Sequence, residues 1–460
     1  MKEPSRGESS NGKTASSLSA LGIVHPDAGG IDIGSRKHYV AVPGDRDAEA
    51  VRCFGCLTPD LHAMARWLKA CRVTTVAIES TGVYWIPVMQ VLEEYGLEVY
   101  LVDARQAKNL PGRKTDVKDC QWLQQLHSHG LLSRAFRPAD AICVLRSYWR
   151  HRKELVEMAS MQVQWMHKSL EQMNLQLHKV LSDITGVTGM KILKAILDGQ
   201  RDAVVLAQMK HPLVQSSEDT LAQALTGDWR VEHLFTLRQA VELYEVYRQK
   251  IEACDQEIER YMQSLNVRGD AKDLPSRGGG TRRKNQPHFD LRRRLYELTG
   301  TDLTSIDGID AMTAQTVVSE SGIDMSRFAT EKHYSSWLGL CPNHQITGGK
   351  VRRRRTRKVR NRAAQALRVA AQSLHKSKTA LGAYYRRMRS RLGPAKAITA
   401  TAHKLAVLIY RMLKYGMTYV DQGQQAYEKQ YRERTLQMLK KRVKQMGYAM
   451  VDLHSGEIVS

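Results

Sequence analysis

No apolar segment of the 460-residue sequence approaches the roughly 20 consecutive residues that a membrane-spanning helix requires. We therefore expect no membrane partner. The seven cysteines are scattered and odd in number, which argues against a disulfide framework and favours a reducing cytoplasm. Cys53 and Cys56 form a C-x-x-C pair, but no second pair follows at zinc-ligand spacing, so we expect no zinc site there.

Acidic residues are scarce relative to basic ones. The sequence has 47 Asp and Glu against 70 Lys and Arg, which gives a formal net charge of +23. A field of this sign attracts polyanions, and nucleic acid is the most obvious of them. The alternative is a basic surface without a specific partner, and the clustering of the charge argues against it. Residues 1–22 are polar and rich in serine, so we expect a disordered leader rather than a secretory signal.

Residues 23–138 form the first predicted domain, in which residues 30–103 alternate between strand and helix patterns. Short apolar runs at "IDIG", "HYVAVP", "VRCFG", "TTVAIES" and "LEVYLVD" predict five strands, of which the first two form a hairpin. Amphipathic runs predict helices at "DLHAMARWLKAC" and "VYWIPVMQVLEEYG", and a basic loop leads into a helix that starts near Thr115. This order predicts an α/β domain in which helices cover a mixed sheet.

Residues 139–266 have a different pattern. Apolar residues recur at alternating spacings of four and three from Leu145 to Leu177 and from Leu234 to Leu265. This spacing predicts two long helices with a narrow apolar seam, which form either a coiled-coil hairpin or an arm that joins two copies. Gly, Pro and charged residues follow without periodicity over residues 267–290 and predict a flexible basic loop.

Residues 291–447 predict a third, mostly helical domain, which a tail over residues 448–460 follows. The segment "LTSIDGIDAMTAQTVVSESG" resembles a helix-hairpin-helix, with Gly308 in its turn and a helix that begins near Met312. Such hairpins direct backbone N–H groups at a nucleic-acid phosphate. The alternative is an ordinary helix turn that contains a glycine.

A dense basic stretch follows in the same domain. Nine of the thirteen residues from Lys350 to Arg362 are Lys or Arg, which favours contacts to a phosphate backbone over a merely solvated surface. The predicted contacts are Lys350, Arg352, Arg353, Arg354, Arg355, Arg357, Lys358, Arg360 and Arg362. Arg113 and Lys114, in the loop of the first domain, are further candidates for holding phosphate or RNA.

Four carboxylates of the first domain predict its chemistry. Asp32 interrupts the apolar first strand, Glu79 ends the strand "TTVAIES", and Asp116 and Asp119 lie three residues apart on one helix face. Four acids at one site require compensation, and hard oxygen ligands suit Mg²⁺; two such ions about 4 Å apart clamp a phosphodiester. Taken singly, each acid could be an ordinary salt-bridge or capping residue, and Asp116 in particular could be a cap.

The same residues carry a resemblance to a known family. Asp32 in "GIDIGS", Glu79 in "AIESTGVYWIPV", and Asp116 and Asp119 in "NLPGRKTDVKDCQWLQQLHSHGLL" resemble the DEDD signature of a RuvC-like domain with the RNase H fold. The fit is to the DEDD transposases of one bacterial insertion-sequence family, the bridge-RNA-guided recombinases. "IDGIDAMTAQTVVSESG", "SSWLGLCP", "GGK" and "NRAAQALRVAAQSL" resemble that family's second catalytic domain, so the likeness covers about residues 23–447 in order.

The resemblance implies a specific function. Members of this family excise and insert their element by cleaving and rejoining DNA through a serine of the C-terminal domain, beside the RuvC-like Mg²⁺ site of another subunit. A structured bridge RNA pairs with donor and target DNA, so base pairing selects the sequence, an arrangement comparable in principle to other RNA-guided systems. The coiled-coil arm mediates assembly of dimers into a tetramer, which acts in the bacterial cytoplasm at the nucleoid.

The sequence departs from the family at the nucleophile. The segment that follows "GLCP" reads "HQITGGK", with Thr347 where a serine is expected. Three alternatives follow: Thr347 is the nucleophile, with a methyl group that crowds its attack; Ser335 or Ser336 replaces it; or this chain is defective in strand joining. Two other functions share many of these residues. One is a Mg²⁺-dependent junction nuclease in which water attacks, and the other is a non-catalytic nucleic-acid-binding scaffold.

Overall fold

The computed structural model describes residues 21–80, 82–103, 115–276, 284–343, 345–353, 355–357, 359–451 and 458. The chain divides into two compact units, Met1–Arg137 and Pro138–Ser460. Most of the predicted leader and the predicted contacts Arg113, Lys114, Arg354 and Lys358 lie outside the described residues. Within the described ranges, no helix combines the length and the apolar character that crossing a bilayer requires.

The N-terminal unit contains the predicted mixed sheet. The strands are β1 (Ala28–Ile33), β2 (Lys37–Ala41), β3 (Val51–Gly55), β4 (Thr75–Glu79) and β5 (Glu98–Val102), and the helices are α1 (Thr58–Ala70), α2 (Trp85–Glu94) and α3 (Asp116–Ser128). The spatial order of the strands is β3-β2-β1-β4-β5: β2 pairs with β1 and β3 in antiparallel fashion, and β4 pairs with β1 and β5 in parallel. These elements confirm the strand and helix predictions for this part of the chain.

The two faces of this sheet pack against different helices. Because side chains alternate along a strand, Ile31 and Ile78 project from one face, where they share a core with residues of α1 and α2 such as Leu68 and Leu92. Ala77 projects from the other face and packs against Leu123 and other residues of α3. Helix α3 therefore covers the face from which Gly30, Asp32 and Glu79 also project.

Two long helices open the C-terminal unit, as the spacing predicts. Helix α4 (Asp140–Gln172) and helix α9 (Val231–Ser264) lie antiparallel: the Tyr261 hydroxyl donates to the Ala141 carbonyl near one end, and the Ser169 and Thr236 hydroxyls are 3.0 Å apart near the other. Four short helices connect them, namely α5 (Leu177–Val180), α6 (Val187–Leu197), α7 (Ala203–Ala207) and α8 (Glu218–Ala224). The pairing within one chain agrees with a hairpin, while coiled-coil packing and contact between copies stay predictions.

One buried ion pair interrupts the apolar seam of these helices. Arg152, which the periodicity places in the seam, donates to both carboxylate oxygens of Asp255, and both side chains are almost fully buried. Its guanidinium also donates to the Asn285 carbonyl at 3.1 Å. The charge is therefore compensated inside the helix pair, as a buried charge must be.

The remainder of the C-terminal unit is mostly helical. Its elements are α10 (Leu291–Thr299), α11 (Ala311–Ser321), α12 (Glu331–Trp337), the hairpin β6 (Gln345–Thr347) and β7 (Lys350–Arg353), and then α13 (Arg362–Ser373), α14 (Ala380–Leu392), α15 (Pro394–Tyr415) and α16 (Gly423–Gln445). Trp149 of α4 donates to the Thr316 hydroxyl of α11 at 3.0 Å, and Arg150 forms a bidentate ion pair with Glu320. The long helices and the C-terminal helices thus pack together, while the finer domain boundaries at 266 and 290 stay predictions.

Candidate active site

Asp32 and Glu79 lie on neighbouring strands at the same edge of the sheet. In the parallel pairing of β1 with β4, Gly30 is opposite Ala77 and Ile31 is opposite Ile78. Asp32 and Glu79 are the next residues along each strand, so they project from the same face, which is the face that α3 covers. Both side chains are half-buried. The strands therefore bring two of the four predicted carboxylates together.

Gly30 sets the position of α3 on this face. A Cβ atom at Gly30 would lie 2.3 Å from the backbone nitrogen of Gln124 and 2.5 Å from the carbonyl oxygen of Cys120. The side chain of Gln124 donates to the Ala28 carbonyl at 3.3 Å. Because Ala28 precedes Gly30 and Gln124 follows Cys120, the helix runs antiparallel to β1 and its first turn lies towards Asp32.

The spacing along the two elements directs the turn of α3 that carries the other two acids towards Asp32. Asp32 lies roughly 7 Å further along β1 than Gly30, and that distance corresponds to about four to five residues of α-helix. The residues that lie four to five positions before the middle of the Cys120–Gln124 contact belong to the helix turn that contains Asp116 and Asp119. The hydroxyl of Thr115 caps this turn by accepting from the backbone N–H of Lys118.

Two neighbouring side chains are sensitive to these charges. Burial raises the pKa of the Cys120 thiol to about 12, and the carboxylates of Asp32 and Asp119 add to the rise. The pKa of Tyr39, which pairs with Asp32 across β1 and β2, is raised chiefly by Cys53 and also by Asp116. Sequence reasoning missed Tyr39 and Cys120 as neighbours of the acids. The hairpin register around "HYV" is the signal that could have placed Tyr39 beside Asp32.

The chemistry of the four donors fits a hard divalent cation, because all four are carboxylates. Their placement is less complete: within the described ranges, no three or more His, Cys, Asp or Glu side chains form a group that could hold a metal ion. Asp116 is exposed and Asp119 is half-buried. The fold thus places Asp32 and Glu79 side by side and directs the helix turn of Asp116 and Asp119 towards them, but these four acids form no coordination sphere, and the Mg²⁺ site stays a prediction.

Thr347, the candidate nucleophile, lies at the tip of the β6–β7 hairpin. It pairs with Lys350 across a two-residue turn, and Gly348 and Gly349 in that turn have φ angles of 55° and 73°. Such values suit glycine and are typical of a tight hairpin turn. The Thr347 side chain is exposed. The tip of the hairpin is therefore open to solvent at Thr347.

The two alternative nucleophiles differ in exposure. Ser335 lies in α12 and is fully buried, and its hydroxyl has no hydrogen-bond partner among the described residues. Ser336 is half-buried, and its carbonyl accepts from the Arg357 guanidinium at 2.8 Å. A DNA phosphate could reach Ser335 only if the helix opened. The geometry therefore favours Thr347 over Ser335.

The predicted nucleic-acid contacts of the basic stretch are mostly exposed. Lys350 and Arg352 lie on β7 of the hairpin that carries Thr347, and the side chain of Arg353 is not described. Arg355, Arg357 and Arg360 are exposed as well. Arg362 begins α13 and is 3.7 Å from a carboxylate oxygen of Glu154. The cations therefore lie near Thr347 in sequence and are accessible to a phosphate backbone.

Close packing explains why position 308 is a glycine, and the sequence did not reveal this contact. Its φ angle is 84°, and a Cβ atom there would lie 2.9 Å from the Ala370 carbonyl of α13. The helix after it begins at Ala311, close to the predicted Met312, and the Asp310 carboxylate caps it by accepting from the backbone N–H of Thr313. This packing agrees with an ordinary glycine turn, and the phosphate contact at Gly308 stays a prediction.

Comparison with known proteins gives two matches along the chain. Residues 29–175 match the family model of the IS110 DEDD transposases, whose description is Transposase. Residues 300–386 match a second model, described as Transposase IS116/IS110/IS902 family. Together they span about half of the chain. The first includes Asp32, Glu79, Asp116 and Asp119, and the second includes Thr347. A comparison with curated proteins found no match.

Proposed function

The chain belongs to the IS110 family and is a DNA transposase of an insertion sequence; on that premise, we propose that it acts by covalent, RNA-guided strand exchange. Asp32, Glu79, Asp116 and Asp119 hold Mg²⁺, and Thr347 is the nucleophile. The observation that supports the proposal is the adjacency of Asp32 and Glu79 at the ends of β1 and β4, on the sheet face that α3 covers with its first turn directed towards them.

The acids have distinct parts in this scheme. Asp32 and Glu79 come from rigid neighbouring strands and fix the position of a cation, while Asp116 and Asp119 close on it from the first turn of α3. DEDD transposase domains typically use a divalent metal. Mg²⁺ supplies Lewis-acid chemistry towards a phosphodiester oxygen when it is bound. The carboxylates hold the ion and orient the phosphodiester that approaches it.

Thr347 supplies the transient covalent link. Its hydroxyl oxygen bonds to a DNA phosphorus, the bond from that phosphorus to one DNA oxygen breaks, and the hydroxyl proton passes to the departing oxygen. A DNA hydroxyl from the other strand then reverses the step and releases the threonine. The exposed hairpin tip suits this role because it allows a strand to reach the hydroxyl. The methyl group of threonine crowds an in-line attack, so we expect a slower reaction than serine would give.

Guide RNA and assembly complete the proposal. A bridge RNA pairs with donor and target DNA and selects the sequences, and the protein binds the backbones through its excess of basic residues. The antiparallel pair of α4 and α9 is the arm through which dimers assemble into a tetramer. The exposed cations from Lys350 to Arg360 support nucleic-acid binding, and the sequence resemblance supports the RNA and the tetramer.

A covalent-trapping experiment tests the nucleophile. The full chain is incubated with the element's transcribed RNA, cognate donor and target DNA and Mg²⁺, then denatured and digested, and DNA-linked peptides are mapped by mass spectrometry. We expect a link at Thr347 that Thr347→Ala abolishes and Thr347→Ser retains, while Ser336→Ala, the matched control, leaves it unchanged. Cleaved DNA without a linked peptide would support a nuclease that uses water, and a link at Ser336 would move the nucleophile.

A further inference from the structure

The C-terminal unit contains a cleft whose lining does not include Thr347, the proposed nucleophile. It is lined by residues of α14, α15 and α16 and of the segment that joins α15 to α16, and it has a volume of about 350 Å³, within the roughly 300–1,000 Å³ range of ligand pockets. Leu408, Met412 and Met417 form an apolar part of its wall, and Lys404, Tyr427 and Arg434 form a polar part. The cleft thus combines a surface for an apolar ring with a cationic surface.

Two cations, Lys404 and Arg434, line this cleft, and the charge of a third, Arg387, acts on Lys404 from beside it. The pKa of Lys404 is lowered, first by burial and then by the positive charges of Arg387 and Arg434. No carboxylate of the described residues forms an ion pair with these three side chains. Arg411, on the same wall, differs because it forms a bidentate ion pair with Glu331. Three cations that repel each other destabilise the fold unless an anion joins them.

Tyrosine rings hold the cations in position. The guanidinium of Arg387 is 3.9 Å from the centre of the Tyr431 ring and 5.0 Å from that of Tyr427. The ammonium of Lys404 is 4.7 Å from the centre of the Tyr384 ring. These rings attract the cations but do not neutralise them. The arrangement is preorganised for an anion.

The hydroxyl of Tyr427, which lines the cleft, and the Nε of Arg387 beside it are both buried polar atoms. Among the described residues, neither the Nε of Arg387 nor the hydroxyl of Tyr427 has a hydrogen-bond partner. An unsatisfied buried group costs free energy, so its persistence calls for a ligand or another explanation. Of the two residues, Tyr427 lines the cleft, and its hydroxyl is the group that can donate to a phosphate oxygen there.

We propose that this cleft binds one nucleotide of a single-stranded segment of RNA or DNA. Lys404 and Arg434 bind its phosphate, Tyr427 donates to a phosphate oxygen, and the base packs on Leu408 and Met412. A duplex is too wide for a cleft of this volume, whereas a base turned out from a single strand fits it. The proposal rests on the proposed function, because that function brings single-stranded RNA and displaced DNA to the protein.

The first test measures binding by the full chain. Fluorescence anisotropy with labelled single-stranded RNA and DNA oligonucleotides at several salt concentrations compares Lys404→Met and Arg434→Gln with two controls, Lys396→Met and Arg432→Gln. Each control removes the same charge from an exposed position on the same helix, outside the cleft. We expect the cleft variants to weaken binding several-fold and to lower the salt slope by about one, and the controls to have little effect.

Comparing the RNA and DNA oligonucleotides identifies which of the two nucleic acids the cleft binds. A loss confined to RNA assigns the cleft to the guide, and a loss confined to DNA assigns it to a displaced strand. Equal binding by cleft and control variants would overturn the proposal while leaving the transposase function intact, because the wild-type chain would still bind. Absence of binding by the wild-type chain would instead contradict the proposed function itself.

A second test does not depend on affinity. Oligonucleotides that carry a photoactivatable thio-base are irradiated with the full chain, and the cross-linked peptides are sequenced by mass spectrometry. We expect cross-links to peptides that contain Met412 or Tyr427, and we expect Lys404→Met to diminish them. Thermal unfolding of the free variant controls for misfolding: since Lys404→Met removes an uncompensated charge, its unfolding temperature should equal or exceed the wild-type value. Cross-links that map wholly elsewhere would overturn the assignment.

Discussion

Gly30 of β1 lies against the backbone of α3, so closely that a Cβ atom there would be 2.5 Å from the carbonyl oxygen of Cys120. This contact sets the depth at which the helix lies on the sheet. Because Asp116 and Asp119 begin the helix and Asp32 follows Gly30 on the strand, the same contact sets how closely the acids approach each other. The glycine is therefore part of the proposed catalytic geometry although it carries no side chain.

Gly30→Ala tests this relationship. The added methyl group has to displace backbone atoms of α3, so we expect a loss of about 1–3 kcal/mol in stability and a larger loss of DNA cleavage. Gly29→Ala is the matched control, because a Cβ atom at Gly29 would meet its neighbours, such as Leu68, at 3.4 Å or more. Hydrogen exchange of α3 and a cleavage assay provide the measurements. Full cleavage by Gly30→Ala would contradict the role assigned to this contact.

The ion pair of Arg152 and Asp255 offers a test of the long-helix pair. Arg152→Met leaves the Asp255 carboxylate buried without its partner, which should cost about 3–5 kcal/mol. The double variant Arg152→Met/Asp255→Leu removes both charges, and we expect it to recover most of that loss. Denaturant unfolding of the four proteins in a double-mutant cycle measures the coupling. Lys153→Met, which removes the partner of exposed Glu157, should change stability by less than about 1 kcal/mol.

His127 predicts a pH dependence in the N-terminal unit. This side chain is buried and contacts the Thr75 hydroxyl at 2.9 Å, and burial, assisted by the charge of His25, lowers its pKa to about 4. The unfolded chain binds a proton near pH 6.5, whereas the folded chain does so near pH 4. Its contribution to stability is therefore complete above pH 6.5 and is lost as the pH falls towards 4, by up to about 3 kcal/mol.

The measurement is hydrogen exchange of peptides from β4 and α3 at pH values on both sides of this window, with exchange rates corrected for pH. We expect His127→Gln to flatten the dependence relative to the wild type. His129→Gln is the matched control from the same end of α3, and its profile should follow that of the wild type. A wild-type profile as flat as that of His127→Gln would contradict the prediction.

Part of this structure could be predicted from the sequence and part could not. Strand alternation placed Asp32 and Glu79 correctly at strand positions, because burial imposes a period of two on neighbouring residues. The spacing of four and three found α4 and α9, but it could not find Asp255 as the partner of Arg152, since that contact joins residues 103 apart. Local patterns carry no information about which distant residues meet.

The same reason explains what sequence reasoning missed in the C-terminal unit. Arg387, Lys404 and Arg434 are separated by helix turns and loops, so no local motif links them, and only their packing reveals a common charge. Gly308 shows the converse: its sequence context resembled a phosphate-binding turn, whereas its close approach to Ala370 supplies a packing reason. The hairpin at Thr347 could have been predicted from Gly348 and Gly349, because two adjacent glycines favour a tight turn.

The central claim is that the four acids carry out chemistry rather than bind nucleic acid, and Asp32→Asn tests it most directly. The substitution keeps the shape of the side chain and removes its charge. Two quantities are measured for the variant and the wild type: the rate at which cognate DNA is cleaved in Mg²⁺, and the affinity for the same DNA and for the RNA. We expect cleavage to fall by at least about two orders of magnitude while affinity and its salt dependence remain unchanged. Cleavage by Asp32→Asn at the wild-type rate would contradict this claim. A loss of affinity for DNA or RNA large enough to explain the whole loss of cleavage would contradict it as well.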